Sequence, residues 1–157
     1  MRTKHLIGAA LLGVVGFLAM PTAAFAGTSA TEHFTLVFSS QTGPGAIFAT
    51  GAFKAGGTDD QGKRVDEAVF PDGAFKINHG AIHATFSFNS KTCTGRLSGS
   101  GPYKISGGYG AYTGIKGTGT ATLHGTIETA RNANGTCNPN DISAYTLTVH
   151  ASGPVSL

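Results

Sequence analysis

The chain has 157 residues, 24 of them glycine, no tryptophan, only 12% charged residues and a formal net charge of +3. So thin a charge, with no basic stripe, excludes the phosphate-gripping surface of a nucleic-acid binder. The length bounds the protein to one domain, and no stretch beyond the first 26 residues carries a helical apolar period.

The N-terminus reads as a targeting segment. Arg2, Lys4 and His5 form a basic start, residues 6–20 an apolar run, and Ala24-Phe25-Ala26 an A-x-A cleavage site. An uninterrupted run of 15 residues falls short of the roughly 20 that a membrane-spanning helix needs. The expected domains are therefore a signal peptide at 1–26 and a secreted, extracellular β-domain at 27–157, with no membrane association once the leader is removed. Without Arg2 and Lys4, nine basic side chains face eight acidic ones, so the mature charge is close to neutral.

Beyond the leader, alternation of period two recurs. Phe34, Leu36 and Phe38 share a face opposite His33 and Thr35. Gln41–Gly45 and Gly56–Gly62 read as loops, and the six charges between Asp59 and Glu67 as a solvated hairpin. The strand through this hairpin has two candidate phases. In one, Val65, Glu67 and Val69 turn inward, and Glu67 becomes a general acid or base with a raised pKa. In the other, Asp66, Ala68 and Phe70 turn inward.

Pro71-Asp72-Gly73, Asn78-His79-Gly80 and Asn89-Ser90-Lys91 are tight-turn candidates. Between them Phe75 and Ile77 alternate with Lys76, and Ile82, Ala84, Phe86 and Phe88 alternate with His83, Thr85 and Ser87. Tyr103 and Ile105 follow, then Ala121, Leu123 and Ile127 opposite Thr120, Thr122, His124 and Thr126. The last run sets Tyr145, Leu147 and Val149 against Thr146, Thr148 and His150, and residues 132–141 form the longest irregular stretch. About eight short strands at this spacing predict an all-β fold, a single closed antiparallel eight-stranded barrel with its apolar face inward.

The residues that could carry chemistry are few. His79 and His83 stand four apart, which suits a metal on a helix; on a strand they lie about 13 Å apart, too far to share one. His33, His83, His124 and His150 fall on Thr/Ser-rich faces and read as surface groups. Asp59-Asp60 lacks the ligand pattern of a calcium loop, and no nucleophile elbow or triad is present. No metal and no cofactor is implied. Cys93 and Cys137, the only cysteines, are expected to form a structural disulfide in an exported chain. The inward aromatic and aliphatic residues Phe34, Leu36, Phe38, Phe86, Phe88, Tyr103, Tyr112 and Tyr145 are candidates to line a pocket for a small apolar ligand.

The segment Gly107-Gly108-Tyr109-Gly110-Ala111-Tyr112-Thr113-Gly114-Ile115-Lys116-Gly117, followed by Leu123-His124, resembles the late hairpin of the allene oxide cyclase and dirigent superfamily. The whole mature chain resembles small secreted bacterial proteins with such a calycin-like barrel. The resemblance implies an apolar cavity, assembly as homodimers or homotrimers, and a barrel that orients a flexible apolar substrate. The plant cyclases place an acid on the inner face of the first strand, whereas residues 35–41 here hold none; the acid that often follows the motif aromatic is Thr113. These departures argue against allene oxide cyclisation. Three functions follow as expectations: a cofactor-free barrel binding a small apolar molecule in a dirigent-like or carrier role; a cyclase or isomerase using Glu67 with a tyrosine; and a non-catalytic extracellular structural protein with a filled barrel.

Overall fold

The computed structural model describes residues 29–157, and the leader expected at 1–26 lies outside them. Nine strands follow one another: β1 (Ala30–Phe38), β2 (Gly45–Thr50), β3 (Lys54–Asp60), β4 (Val65–Phe70), β5 (Gly73–His79), β6 (His83–Asn89), β7 (Thr94–Gly110), β8 (Lys116–Arg131) and β9 (Cys137–Ser156). Eight of them close a barrel. The antiparallel order β1-β2-β3-β4-β5 continues through a β5–β7 pairing to β8, β9 and back to β1. The sixth strand stays outside the closure, hydrogen-bonded to β7 alone among the described strands.

Strand length explains this division. Strands β1–β5 have six to nine residues, whereas β7, β8 and β9 have 17, 16 and 20. At about 3.3 Å per residue the long strands reach roughly 50–65 Å, about twice what the short ones span. They therefore overrun the barrel, and the overhang, together with β6, forms a four-stranded wing. The disulfide between Cys93 and Cys137 ties the wing's tip, with a Cα–Cα distance of 5.3 Å. Cys93, at a φ of 57°, holds the left-handed turn entering β7.

Glycine sets how tightly β7 and β8 pack. Their inner-face pairs are Gly95–Ile127, Leu97–Gly125, Gly99–Leu123, Gly101–Ala121, Tyr103–Gly119 and Ile105–Gly117. Each has a glycine on one side, so large side chains lie flat over the neighbouring backbone. At Gly119 a Cβ would come within 2.6 Å of the Tyr103 ring. Gly110, at a φ of 64°, makes the turn after β7 that folds Tyr112 back over the barrel's end.

Several expectations from the sequence need correction. Gly45 begins β2 and residues 56–60 belong to β3, since glycine here admits close strand approach instead of marking a loop. The irregular stretch shrinks to residues 132–136 because β8 and β9 pair out to Arg131 and Cys137. The charged hairpin is not wholly solvated: Asp59 is fully buried. On β4 the inner residues are Asp66, Ala68 and Phe70, while Glu67 lies on the outer row Asp60–Glu67–Lys76.

Candidate functional site

The lumen has a filled half and a hollow half. At the end where β1 begins, Phe34, Phe53, Phe70, Phe75 and Tyr112 pack edge-on and stacked, with ring centroids 5.1–6.2 Å apart where they touch. Buried Ile105, Ile115 and Val155 complete this plug. Toward the other end the inward positions of β8 and β9 include Ala121 and Ala151, too small to meet across the barrel. A cavity of about 220 Å³ remains, walled by Phe34, Leu36, Phe38, Ile77, Leu123 and Val149 among others. For scale, a dry apolar cavity of about 150 Å³ accepts benzene.

Polar groups gather at one side of the mouth. Gln61 and Gly62, from the turn between β3 and β4, line it with Asp66 and His79. His79 continues the inward phase of Phe75 and Ile77 to the last residue of β5, and its N–H donates to the Arg64 carbonyl at 3.0 Å. Its Nε2 stands 3.7 Å from Asp66 Oδ1, which accepts the Gly62 N–H at 2.8 Å. Burial pushes the Asp66 carboxyl up, against the opposing pull of the Gly62 N–H and His79.

Asp59 lies behind this pair on the inner face of β3. Neither of its carboxylate oxygens has a hydrogen-bond partner among the described residues. Burial first, then the neighbouring Asp66 and Asp60, push its pKa up to about 7. Asp59 does not itself line the cavity; the aspartate–histidine pair in front of it does, an arrangement suited to moving a proton to or from a bound molecule.

Of the residues expected to line a pocket, Phe34, Leu36, Phe38 and Tyr103 do so. The other four do not. Tyr112 sits in the plug. Phe86 and Phe88 lie on β6, outside the closed barrel, 58% and 45% exposed. Tyr145 stands opposite Ile127 on the wing. These last three share the wing's apolar face, which runs on from the cavity wall through Leu97 and Leu147. Glu67, expected as acid or base, faces away from the lumen because β4 takes the alternative phase.

One buried acid, Glu32, gives no signal in the sequence. It falls on the inner face of β1, upstream of residues 35–41. It is fully buried, its Oε2 accepts the Phe53 N–H at 3.0 Å, and its Oε1 has no partner among the described residues. It belongs to the plug, not the cavity. His79 and Asp66 were legible in principle, since Phe75-Ile77-His79 and Asp66-Ala68-Phe70 both keep period two; a turn signal and a charge cluster masked them.

Among the described residues no group of three or more His, Cys, Asp or Glu side chains is placed to hold a metal ion. Comparison with known proteins returns no matching family model, no similar curated protein and no similar solved structure.

Proposed function

We propose that this is a secreted barrel that binds a small, largely apolar molecule in the open half of its lumen, in a carrier or dirigent-like role and without a cofactor. The carrying observation is the cavity of about 220 Å³, apolar on its walls and polar on one side of its mouth. A ligand with a ring or short chain and one polar end matches that division. Export is supported by the leader pattern and by the Cys93–Cys137 bridge, which persists in oxidising compartments. Kinship with the allene oxide cyclase and dirigent superfamily is supported by the eight-stranded closure and by the glycine-rich segment that ends β7 and seats Tyr112. Glu32 supplies an inward acid on the first strand, but away from the cavity, so allene oxide cyclisation forms no part of the proposal.

The test is uptake of an apolar fluorescent probe by the folded protein. Leu123→Phe, which fills the cavity from β8, is expected to abolish uptake while thermal stability stays within about 1–3 kcal/mol of the parent. Equal uptake by both would refute lumen binding.

A second reading, a cofactor-free cyclase or isomerase, is favoured by the Asp66–His79 pair, which takes the place earlier expected of Glu67. In that reading His79 moves the proton and Asp66 sets its orientation and charge. His79→Gln is expected to lower turnover by about 10²–10⁴-fold while probe uptake persists; undiminished turnover removes the reading. A non-catalytic extracellular structural role draws its support from the plugged half of the lumen alone.

A further inference from the structure

The outer face of the wing and of the adjoining barrel wall carries an ordered lawn of hydroxyls. Strand register sets its rows. One runs Ser87, Arg96, Thr126, Thr146; the next Thr85, Ser98, His124, Thr148; the next His83, Ser100, Thr122, His150, Thr35; a fourth Thr120, Ser152, His33. Across β6, β7, β8, β9 and β1 this face is about 19 Å wide at the usual strand spacing. It is not flat. A groove of about 570 Å³ is lined by Arg96, His124, Thr126 and Thr146 among others, and a depression of about 300 Å³ by His33, Thr35, Thr122 and His150.

Charge on this face is mainly positive. Its fixed cations are Arg96 on β7, with Lys104 one row beyond, Lys116 of β8 in the row after that, and Lys54 of β3 beside Thr50 at the margin. Four of the chain's six histidines join them: His83 on β6, His124 on β8, His150 on β9 and His33 on β1. The facing carboxylate is Glu128, at the wing's tip beside Thr94. No ion pair engages Arg96 or Glu128 among the described residues. Thr35 Oγ1 lies 3.3 Å from His150 Nδ1, leaving that ring's Nε2 for another partner. Phe48, 52% exposed, ends the His150–Thr35 row.

We infer that this face is a binding site for an acidic polysaccharide, a chain bearing uronic carboxylates and many hydroxyls. Four fixed cations, spread to the margins of the face, are too few to neutralise a phosphate at every step, as a nucleic acid needs. Abundant serine and threonine match a partner rich in hydroxyls, Phe48 offers one flat apolar surface to a sugar ring, and Arg96 with the histidines complements sparse carboxylates. The lumen is not involved, and the inference stands apart from what fills it.

Retention of the intact mature protein on immobilised polygalacturonate tests it, and that retention is expected to weaken with salt. Immobilised dextran, uncharged, is expected not to hold the protein. Arg96→Gln is expected to weaken retention several-fold with unchanged melting, and the exposed double variant H124Q/H150Q, which removes two hydrogen-bonding rings from the face, to weaken it as well. Retention that is insensitive to salt, equal on dextran, stronger on poly-glutamate or single-stranded DNA, or intact in the Arg96 variant would overturn the inference.

Discussion

The plugged and the open ends of the lumen are built from the same closed ring of strands, yet they use their interior volume in opposite ways. At the plugged end five aromatic rings and three aliphatic side chains meet across the axis, and Tyr112 folds in from a glycine turn to seal it. At the open end two alanines on β8 and β9 fail to meet the opposite wall, and the long strands run on into a wing with no facing layer. The difference shows that closure of the sheet does not fill a barrel. Filling depends on side-chain volume, row by row.

The comparison can be broken most sharply at the plug. Phe75 is fully buried against four other rings. Phe75→Ala is expected to cost about 3–5 kcal/mol, read as a loss in chemical denaturation. A cost below 1 kcal/mol would mean that the plug is not packed as described.

Next in size is the tie at the wing's tip. The two cysteines are 44 residues apart, and removing the bridge is expected to cost on the order of 3–4 kcal/mol. Hydrogen exchange should rise in residues 84–96 and 126–146 before it rises in β1 to β5. Uniform loosening would instead make wing and barrel one cooperative unit.

Asp59 separates the ends by pH. Its folded pKa, near 7, lies above the unfolded value near 3.8. The folded state therefore holds a proton that the unfolded state has released, and stability falls as pH rises from about 4 to about 7. Asp59→Asn is expected to flatten that slope and to add on the order of 2 kcal/mol at pH 8, measured by melting across pH. An unchanged slope would place the titrating group elsewhere.

The smallest effect is expected on the wing. Phe86→Ser with Phe88→Ser removes exposed rings and should shift stability by no more than about 1 kcal/mol. A loss as large as that of Phe75→Ala would show that a partner covers this face.

Much of this architecture is legible before any coordinates. Alternation at Phe34-Leu36-Phe38, Tyr103-Ile105 and Leu147-Val149 marks the inward faces, because a half-buried sheet allows only one side to be apolar. The cysteine pair is legible for a similar reason, since the chain holds no other cysteine for either. The site is less so. Residues 65–70 support two phases, and only pairing with β3 and β5 decides that Asp66 turns in and Glu67 out. The face of Phe86 and Phe88 was identifiable, but not that β6 lies beyond the closure.

The sequence by itself determined the all-β class, the inward aromatic rows and the cysteine bridge, because period and composition are local properties. Tertiary structure alone decided which half of the lumen stays hollow, which carboxylates are buried, and that Asp66 meets His79. Those outcomes depend on strand lengths and on which small residues face each other across the barrel, and neither is written into any one stretch of chain.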